Sequence, residues 1–545
     1  MTPERPSTKI PAFIITCSLM LSLVLAMSFP LVTDEVYYIS WARSLEWPSW
    51  GFFDHPPVVS WMGIASRYSN QLIAARAFVW LCSATSAFFT WRLARFIMPS
   101  RSLIAPALIL SSIGGIASGF LLTPDSGLIL AWSLAVHEGY IALTRNPKRW
   151  LSAGLATGFG ILCKYTMVLI GPVFLFSLWR DARRQLRTPW PYLGGVICLI
   201  VILPHLRWQH ENNWVTFKFQ FRHGFSVEHD NYSHSHLPRA EIANPGSKVL
   251  ILKDRLLASM QKVPGFDEAI KKPKSEKSAL EKAWQYSGDY IGGVAGLWGF
   301  YAIAWLIWMS RRLRKKITIE PASRPPGFSL IQNASLFPLI FFFILSPFTK
   351  IEANWPAMHM TALAVWMIYV VNPPTRQLAY AFFCHLLLFC LIIVVMLKPE
   401  FFSGARNNRL LLESRGYSTL SQWVESTNEQ QVIAVDSYQL RSAIEFYAPN
   451  VKVVQWPGFT RDSEYTRGRV EDSALEEKIR RQAIIRVVAS DSKPKSVPGF
   501  EAMNYQGIRV CLDGSIGVFS EKNPTLPCEK GIREWWITDY SVQNP

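Results

Sequence analysis

Several apolar runs long enough to cross a bilayer follow one another between Pro11 and Leu397, separated by polar or basic breaks. About 20 apolar residues span the hydrocarbon core of a membrane. The pattern predicts helices over 11–30, 73–97, 102–122, 124–144, 150–164, 165–179, 190–207, 287–309, 329–348, 356–372 and 378–396. The fifth and sixth runs are each short for a crossing, yet Arg149 and Arg180 flank the pair. A hairpin turning near Lys164-Tyr165-Thr166 accommodates both facts; one long tilted helix is the competitor, disfavoured by the charge distribution. The first run lacks a small-x-small cleavage site before Thr33 and reads as a retained helix, not a signal peptide.

Beyond residue 398 the rhythm changes to apolar stretches too short to span. Gln431–Val435, Val451–Gln455 and Ala483–Ala489 read as strands, with a helix over Gln439–Tyr447. The expectation is an α-helical polytopic membrane domain, 1–397, with about eleven transmembrane helices, followed by a small C-terminal α/β domain, 398–545. Between the seventh and eighth runs lies a long polar loop, 208–286, rich in Lys, Ser and Pro over 226–283, with a short helix expected around Ser278–Trp284.

Composition agrees with a membrane protein: 50% of residues are hydrophobic and 17% charged, against about 25% charged in soluble domains. A net charge of +17 raises nucleic acid as a partner, but its distribution argues against that. The basic residues cluster between apolar runs, at Arg92, Arg95 and Arg101, at Arg145, Lys148 and Arg149, at Arg180, Arg183, Arg184 and Arg187, and at Arg311 to Lys316. Cytoplasmic loops carry such clusters. With the N-terminus inside, the outer face receives the first loop 31–72, the turns at 122–125 and near 164, loop 208–286, segment 349–355 and the C-terminal domain. If that domain is extracytoplasmic, Cys511 and Cys528 are positioned to pair.

Chemistry-bearing residues gather on that outer face. The first loop opens Thr33-Asp34-Glu35-Val36-Tyr37-Tyr38, continues as an aromatic-rich amphipathic segment expected to lie along the membrane surface, and then reads Phe53-Asp54-His55-Pro56-Pro57. Thr123-Pro124-Asp125, Lys164-Tyr165-Thr166 and Lys350-Ile351-Glu352-Ala353-Asn354-Trp355-Pro356 recur on the same side. Each has a structural reading: Asp34 as a helix cap, Asp54 as a turn former, Asp125 as the start of the fourth helix, Lys164 as a snorkelling lysine. Together they describe acids and fixed cations suited to a phosphate-bearing, hydroxylated substrate, since ionisable groups at membrane depth are costly and usually functional.

The order of these motifs resembles the bacterial GT-C glycosyltransferases, and more narrowly the superfamily of protein mannosyltransferases and lipid A aminoarabinose transferases. Pro204-His205-Leu206-Arg207-Trp208 with Trp214, and Asp436-Ser437-Tyr438 to Glu445-Phe446-Tyr447, also resemble family segments. The resemblance implies transfer of a sugar from a polyisoprenyl-phosphate carrier to lipid A, another envelope glycan or a protein, at the outer face of a bacterial cytoplasmic membrane. It implies that Asp34 is the catalytic residue, taking the acceptor's proton in a single inverting displacement. Glu35, Tyr37, Asp54, His55, Asp125, Lys164, Tyr165, Lys350, Glu352 and Asn354 are the expected substrate-binding residues. The aminoarabinose transferases carry Lys-Pro-Pro in the first loop where this chain has His55-Pro56-Pro57, and a Tyr-x-x-Pro-like segment where it has Asn354-Trp355-Pro356. That departure moves the expected phosphate contact to Lys164 or Lys350.

No DxD, Walker A or GxGxxG pattern is present. Glu35, Asp125 and Glu352 offer oxygen ligands for a divalent cation, though no spacing demands one, and His223, His229, His234 and His236 cluster in the long loop. Two other classes share this face. An O-antigen polymerase or ligase concentrates basic residues in a large outer loop, and a lipid or solute transporter shows repeats and broken helices at the midplane. The acidic pair after the first helix, and the absence of a repeat, set this chain apart from both.

Overall fold

The computed structural model describes residues 8–44, 47–225, 279–314, 324–399, 409–427, 431–455, 462–467, 470–480, 482, 484–490, 500–511, 515–520, 528 and 531–542. The polar stretch 226–278, with three of the four loop histidines, and the His223 side chain lie outside that description. Two units divide the chain: Met1–Phe29, Trp41–Val227 and Ala279–Leu391 form the first, and Pro30–Ser40, Glu228–Ser278 and Ile392–Pro545 the second.

The first unit is helical. Lys9–Ser28, Leu72–Ile97, Pro124–Thr144, Trp190–Glu211, Phe328–Leu345 and Thr375–Leu397 are each long and apolar enough to cross a membrane. Pro124–Thr144 is the most buried of them. Its start follows from local chemistry, because Pro124 at the first helical position has no N–H to leave unpaired. The protein is therefore a multi-pass membrane protein. Among the described residues the count of eleven crossings is not confirmed, and the departures from single long helices have local causes.

Run 102–122 is two short helices, Ile104–Ser111 and Ile113–Ser118. Ser112 between them is extended, and its hydroxyl accepts from the Gly115 N–H at 3.1 Å, capping the second helix. Run 287–309 is bent by 96° at Gly299, whose φ of +59° favours glycine and where a Cβ would lie 2.4 Å from His385 Nε2. Each break exposes a backbone group in an environment without water. One imidazole pairs with both: His385 Nδ1 donates to the Ser111 carbonyl at 2.8 Å, and Nε2 accepts from the Phe300 N–H at 2.8 Å.

The expected hairpin has arms of 14 and 12 residues, Trp150–Cys163 and Ile170–Asp181, joined by extended Lys164 and a 3-10 turn, Tyr165–Leu169. Its far end returns to where it began. Gln185 accepts from Trp150 Nε1 at 2.9 Å and donates to the Ala142 and Leu143 carbonyls at 3.0 and 3.2 Å. The Trp150–Cys163 and Trp190–Glu211 helices approach until a Cβ on Gly154 would lie 1.9 Å from the Gly194 carbonyl oxygen, the small-residue packing typical of membrane helices.

The basic loops around 92–101, 145–149 and 180–187 share one end of this unit. Arg145 stacks 4.1 Å from the Phe96 ring centroid, Arg101 donates to the Pro373 carbonyl at 2.6 Å, and Ser329 donates to the Asp181 carboxylate. Arg180 and Arg324 line one cavity there, and Arg95 and Arg101 another.

The second unit is built on a six-stranded sheet of order β2-β1-β3-β6-β4-β5, from β1 Ile433–Val435, β2 Val453–Gln455, β3 Ile484–Ser490, β4 Phe500–Cys511, β5 Ile516–Ser520 and β6 Gly531–Val542. β2-β1-β3 pair in parallel and the remainder antiparallel. Alternation along the strands separates two cores. Ile433 and Val435 face one, under helices Tyr417–Thr427 and Tyr438–Tyr447; Val432 and Ala434 face the other, with Ile479 of Val470–Arg480. Cys511 and Cys528 form a disulfide with Cα atoms 6.1 Å apart. The short strands and the Tyr438–Tyr447 helix match the sequence reading to within two residues at each end. The long antiparallel strands β4 and β6 escaped it.

Candidate active site

In the first unit, three of the recurrent motifs converge on one carboxylate. Asp125, in the first turn of Pro124–Thr144, is buried. Its Oδ1 accepts from Lys164 Nζ at 2.7 Å and its Oδ2 from Asn354 Nδ2 at 2.7 Å. Lys164 sits at the extended break between the hairpin arms, which aims it inward, and its side chain is only 10% exposed. Lys350 is half exposed, with Nζ 3.5 Å from Glu352 Oε1. This cluster lies at the start of Pro124–Thr144, and the basic end lies by Thr144, a separation of about 30 Å at 1.5 Å per residue.

Beside it, Tyr165 opens a second network. The Trp50 carbonyl can only accept, so His205 Nδ1, 2.6 Å away, carries the proton. Nε2 then accepts from the Tyr165 hydroxyl at 2.8 Å, and that hydroxyl accepts from Gln209 Nε2 at 3.1 Å. The first loop is held further along, where Thr216 donates to the Phe52 carbonyl and Gln220 to the Asp54 carbonyl. Gln220 Nε2 also lies 3.3 Å from His55 Nδ1. Asp54 is buried at this turn.

Asp34, Glu35 and Tyr37 belong to the second unit. They form the start of the Thr33–Arg43 helix, which is buried through Ala42 except at Asp34 and does not lie exposed along a surface. Glu35 is fully buried, and its Oε2 accepts from the Val32 N–H at 3.1 Å, the reciprocal half of a capping box. Tyr37 is buried, and its hydroxyl accepts from the Glu464 N–H at 2.7 Å. Asp34 Oδ1 accepts from the Tyr438 hydroxyl at 3.1 Å.

His205, Gln209, Gln220 and Tyr438 are the residues that sequence reasoning did not nominate as site residues. His205 and Gln209 carried a signal, being polar groups within an otherwise apolar run. Gln220 carried none, and Tyr438 carried only its place in the Asp436-Ser437-Tyr438 segment that resembles the family. Among the described residues, no group of three or more His, Cys, Asp or Glu is arranged to hold a metal ion. The donor set does not fit a divalent cation as it stands: Asp125 is engaged by Lys164 and Asn354, Glu35 by its own helix start, and Glu352 lies beside Lys350.

The chain is similar to known proteins over part of its length. Residues 54–208 match the family described as dolichyl-phosphate-mannose-protein mannosyltransferase. That span holds the Asp54-His55, Asp125, Lys164 and His205 segments. Two lipopolysaccharide core galacturonosyltransferases of Rhizobium johnstonii are similar: RgtA, 33% identical over 94 residues, and RgtB, 26% identical over 197 residues. The matches span 17% and 34% of this chain, and 19% and 39% of those relatives. Among solved structures, ArnT from Cupriavidus metallidurans, bound to undecaprenyl phosphate, aligns over 98% of both chains at 12% identity with a TM-score of 0.45. The family match over residues 54–208 agrees with the motif resemblance to membrane glycosyltransferases across that span.

Proposed function

We propose that the protein is an integral-membrane glycosyltransferase that moves a sugar from a polyisoprenyl-phosphate carrier to an envelope acceptor, lipopolysaccharide or another glycan in preference to a protein. The observation that carries this reading is the meeting of Lys164 and Asn354 on Asp125, from motifs far apart in sequence and at the end of the bundle away from the arginines. By the positive-inside rule the arginine end faces the cytoplasm. The Asp125 end then faces the periplasm of a bacterial cytoplasmic membrane, and the Cys511–Cys528 disulfide fits such an oxidising compartment. The similarity to lipopolysaccharide core galacturonosyltransferases favours a glycan acceptor.

In this mechanism the acceptor hydroxyl attacks the anomeric carbon of the donor sugar. Asp34 takes the hydroxyl proton as general base. The bond between the anomeric carbon and the phosphate oxygen breaks, its electron pair leaves with the polyisoprenyl phosphate, and the anomeric centre inverts. The leaving group's developing charge calls for a fixed cation. Lys350, half exposed, is the better suited to reach it; Lys164, paired with Asp125, orients that carboxylate and Asn354. Tyr165, His205 and Gln220 hold the first loop in place.

The test is transfer from a radiolabelled polyprenyl-phosphate sugar to lipopolysaccharide by the purified full-length protein, beside Asp34→Asn. Transfer by wild type with a loss of at least 100-fold in the variant is the expected result. No transfer from any such donor, or an equally fast variant, refutes the reading. Cysteine-accessibility mapping tests the sidedness, with Lys350 and Asp34 expected on one face and Arg180 on the other.

A further inference from the structure

Asp34 is half-buried in a helix whose following residues, Glu35 to Ala42, are all buried. A carboxylate on a two-torsion side chain samples several rotamers unless something holds it. In a displacement, a misplaced base costs rate steeply. One holding group is 404 residues away in sequence: the Tyr438 hydroxyl donates to Asp34 Oδ1 at 3.1 Å.

Tyr438 is rigidly placed. β1 ends at Val435, Ser437 caps the following helix by accepting from the Leu440 N–H at 3.4 Å, and Tyr438 is its first residue. It therefore stands at the carboxyl end of a parallel strand, where α/β sheets present ligand-facing side chains. Its ring is buried, with its centroid 4.5 Å from that of Tyr37. Tyr37 is fixed in turn by the Glu464 N–H at 2.7 Å, and the Tyr465 hydroxyl donates to Ser40 Oγ at 2.8 Å one helical turn further on. Three tyrosines lock the helix start to the sheet, and one of them reaches the carboxylate.

We propose that Tyr438 is a positioning residue for Asp34, and that the C-terminal sheet unit thereby sets the geometry of the catalytic base. The proposal rests on the reading of Asp34 as the base. The ring packing would be kept by phenylalanine; the hydroxyl is what the packing does not require. A hydrogen bond to an ionised carboxylate is charge-assisted, and so fixes orientation more strongly than a neutral one. The ionisable groups around it are Glu35, Tyr37 and Tyr38 on its own helix, Asp436, Arg441 and Glu445 on the elements flanking Tyr438, Glu464 and Tyr465 on the 3-10 turn Glu464–Thr466 with Arg467 just after it, and Asp472 beyond Arg441. Tyr438→Phe leaves all of these in place.

The experiment uses the full-length protein in detergent, with a polyprenyl-phosphate hexose or hexuronate as donor. Tyr438→Phe is expected to lower kcat by about 10-fold or more, as for loss of a hydrogen bond to a charged group, with KM for the donor nearly unchanged. The acid limb of the kcat profile moves to higher pH, because a carboxylate that loses a donor holds its proton more tightly. On an Asp34→Asn background the same substitution adds no further loss, since Tyr438 acts through Asp34. Incorporation of 3-fluorotyrosine at 438 keeps the shape, strengthens the donor, and moves the acid limb the opposite way. An inactive Asp34→Asn with Tyr438→Phe at the wild-type kcat and an unmoved acid limb overturns this proposal alone. A fully active Asp34→Asn overturns the base and, with it, the role of Tyr438. An equal loss from Tyr438→Phe on both backgrounds shows a structural role only, and also overturns the proposal.

Discussion

Replacing Lys164 with methionine removes a charge while nearly keeping the side-chain volume. What remains is a carboxylate on Asp125, buried, with one oxygen still bonded to Asn354 and the other having lost a 2.7 Å ammonium partner. Both side chains of the pair are 10% exposed or less, so solvent screens them little. Breaking such a pair from one side costs about 3–5 kcal/mol. The Asn354 bond survives and Asn354 is exposed, so water reaches that side and the lower end, about 3 kcal/mol, applies. Removing both charges, as Lys164→Met with Asp125→Leu, leaves no orphaned ion and restores most of the stability. The assay is heating of the detergent-solubilised protein followed by size-exclusion detection of the folded fraction. Lys164→Met is expected to lose several degrees of midpoint, and the double variant to recover most of them while transferring no sugar. A single variant as stable as wild type, or a double variant less stable than the single, refutes the reasoning.

Gly154→Ala puts a Cβ 1.9 Å from a backbone oxygen of Gly194 that cannot swing aside, so the Trp150–Cys163 and Trp190–Glu211 helices must separate; the folded yield in membranes should fall sharply, whereas Gly195→Ala, with open space at its Cβ, should not change it. His385→Phe orphans the Ser111 carbonyl and the Phe300 N–H together, for a loss of about 2–4 kcal/mol, read as a lower thermal midpoint. Cys511→Ser opens a 17-residue separation closed by the disulfide; about 3 kcal/mol of stability in the sheet unit is at stake. Limited proteolysis should cut the C-terminal region of that variant first, and unreduced wild type should show no maleimide labelling at either cysteine.

The sequence alone determined the elements whose chemistry is local. Apolar length set the helices, and Pro124 set a helix start that places Asp125 in its first turn. Charge clusters told which loops share an end, because short cationic loops segregate whatever the helices do between them; Gln185 and Arg145 then showed the loops meeting as charge parity required. Gathering Asp125, Lys164 and Asn354 as one polar set was also legible, since ionisable groups recur in apolar surroundings only for a reason.

What only the tertiary structure decided were properties of pairs. A run of apolar residues reads the same whether straight or broken, so the bend at Gly299 and the split at Ser112 stayed hidden; His385, which satisfies both, lies far from either in sequence. Glu35 and Asp34 are adjacent carboxylates with equal standing in the sequence. Burial turned one into a cap for its own helix and left the other half-buried, bonded to Tyr438. Tyr438 stood in a segment resembling the family, but its role had no sequence signal, because a tyrosine at the start of a terminal-domain helix is ordinary until the fold brings a carboxylate to its hydroxyl.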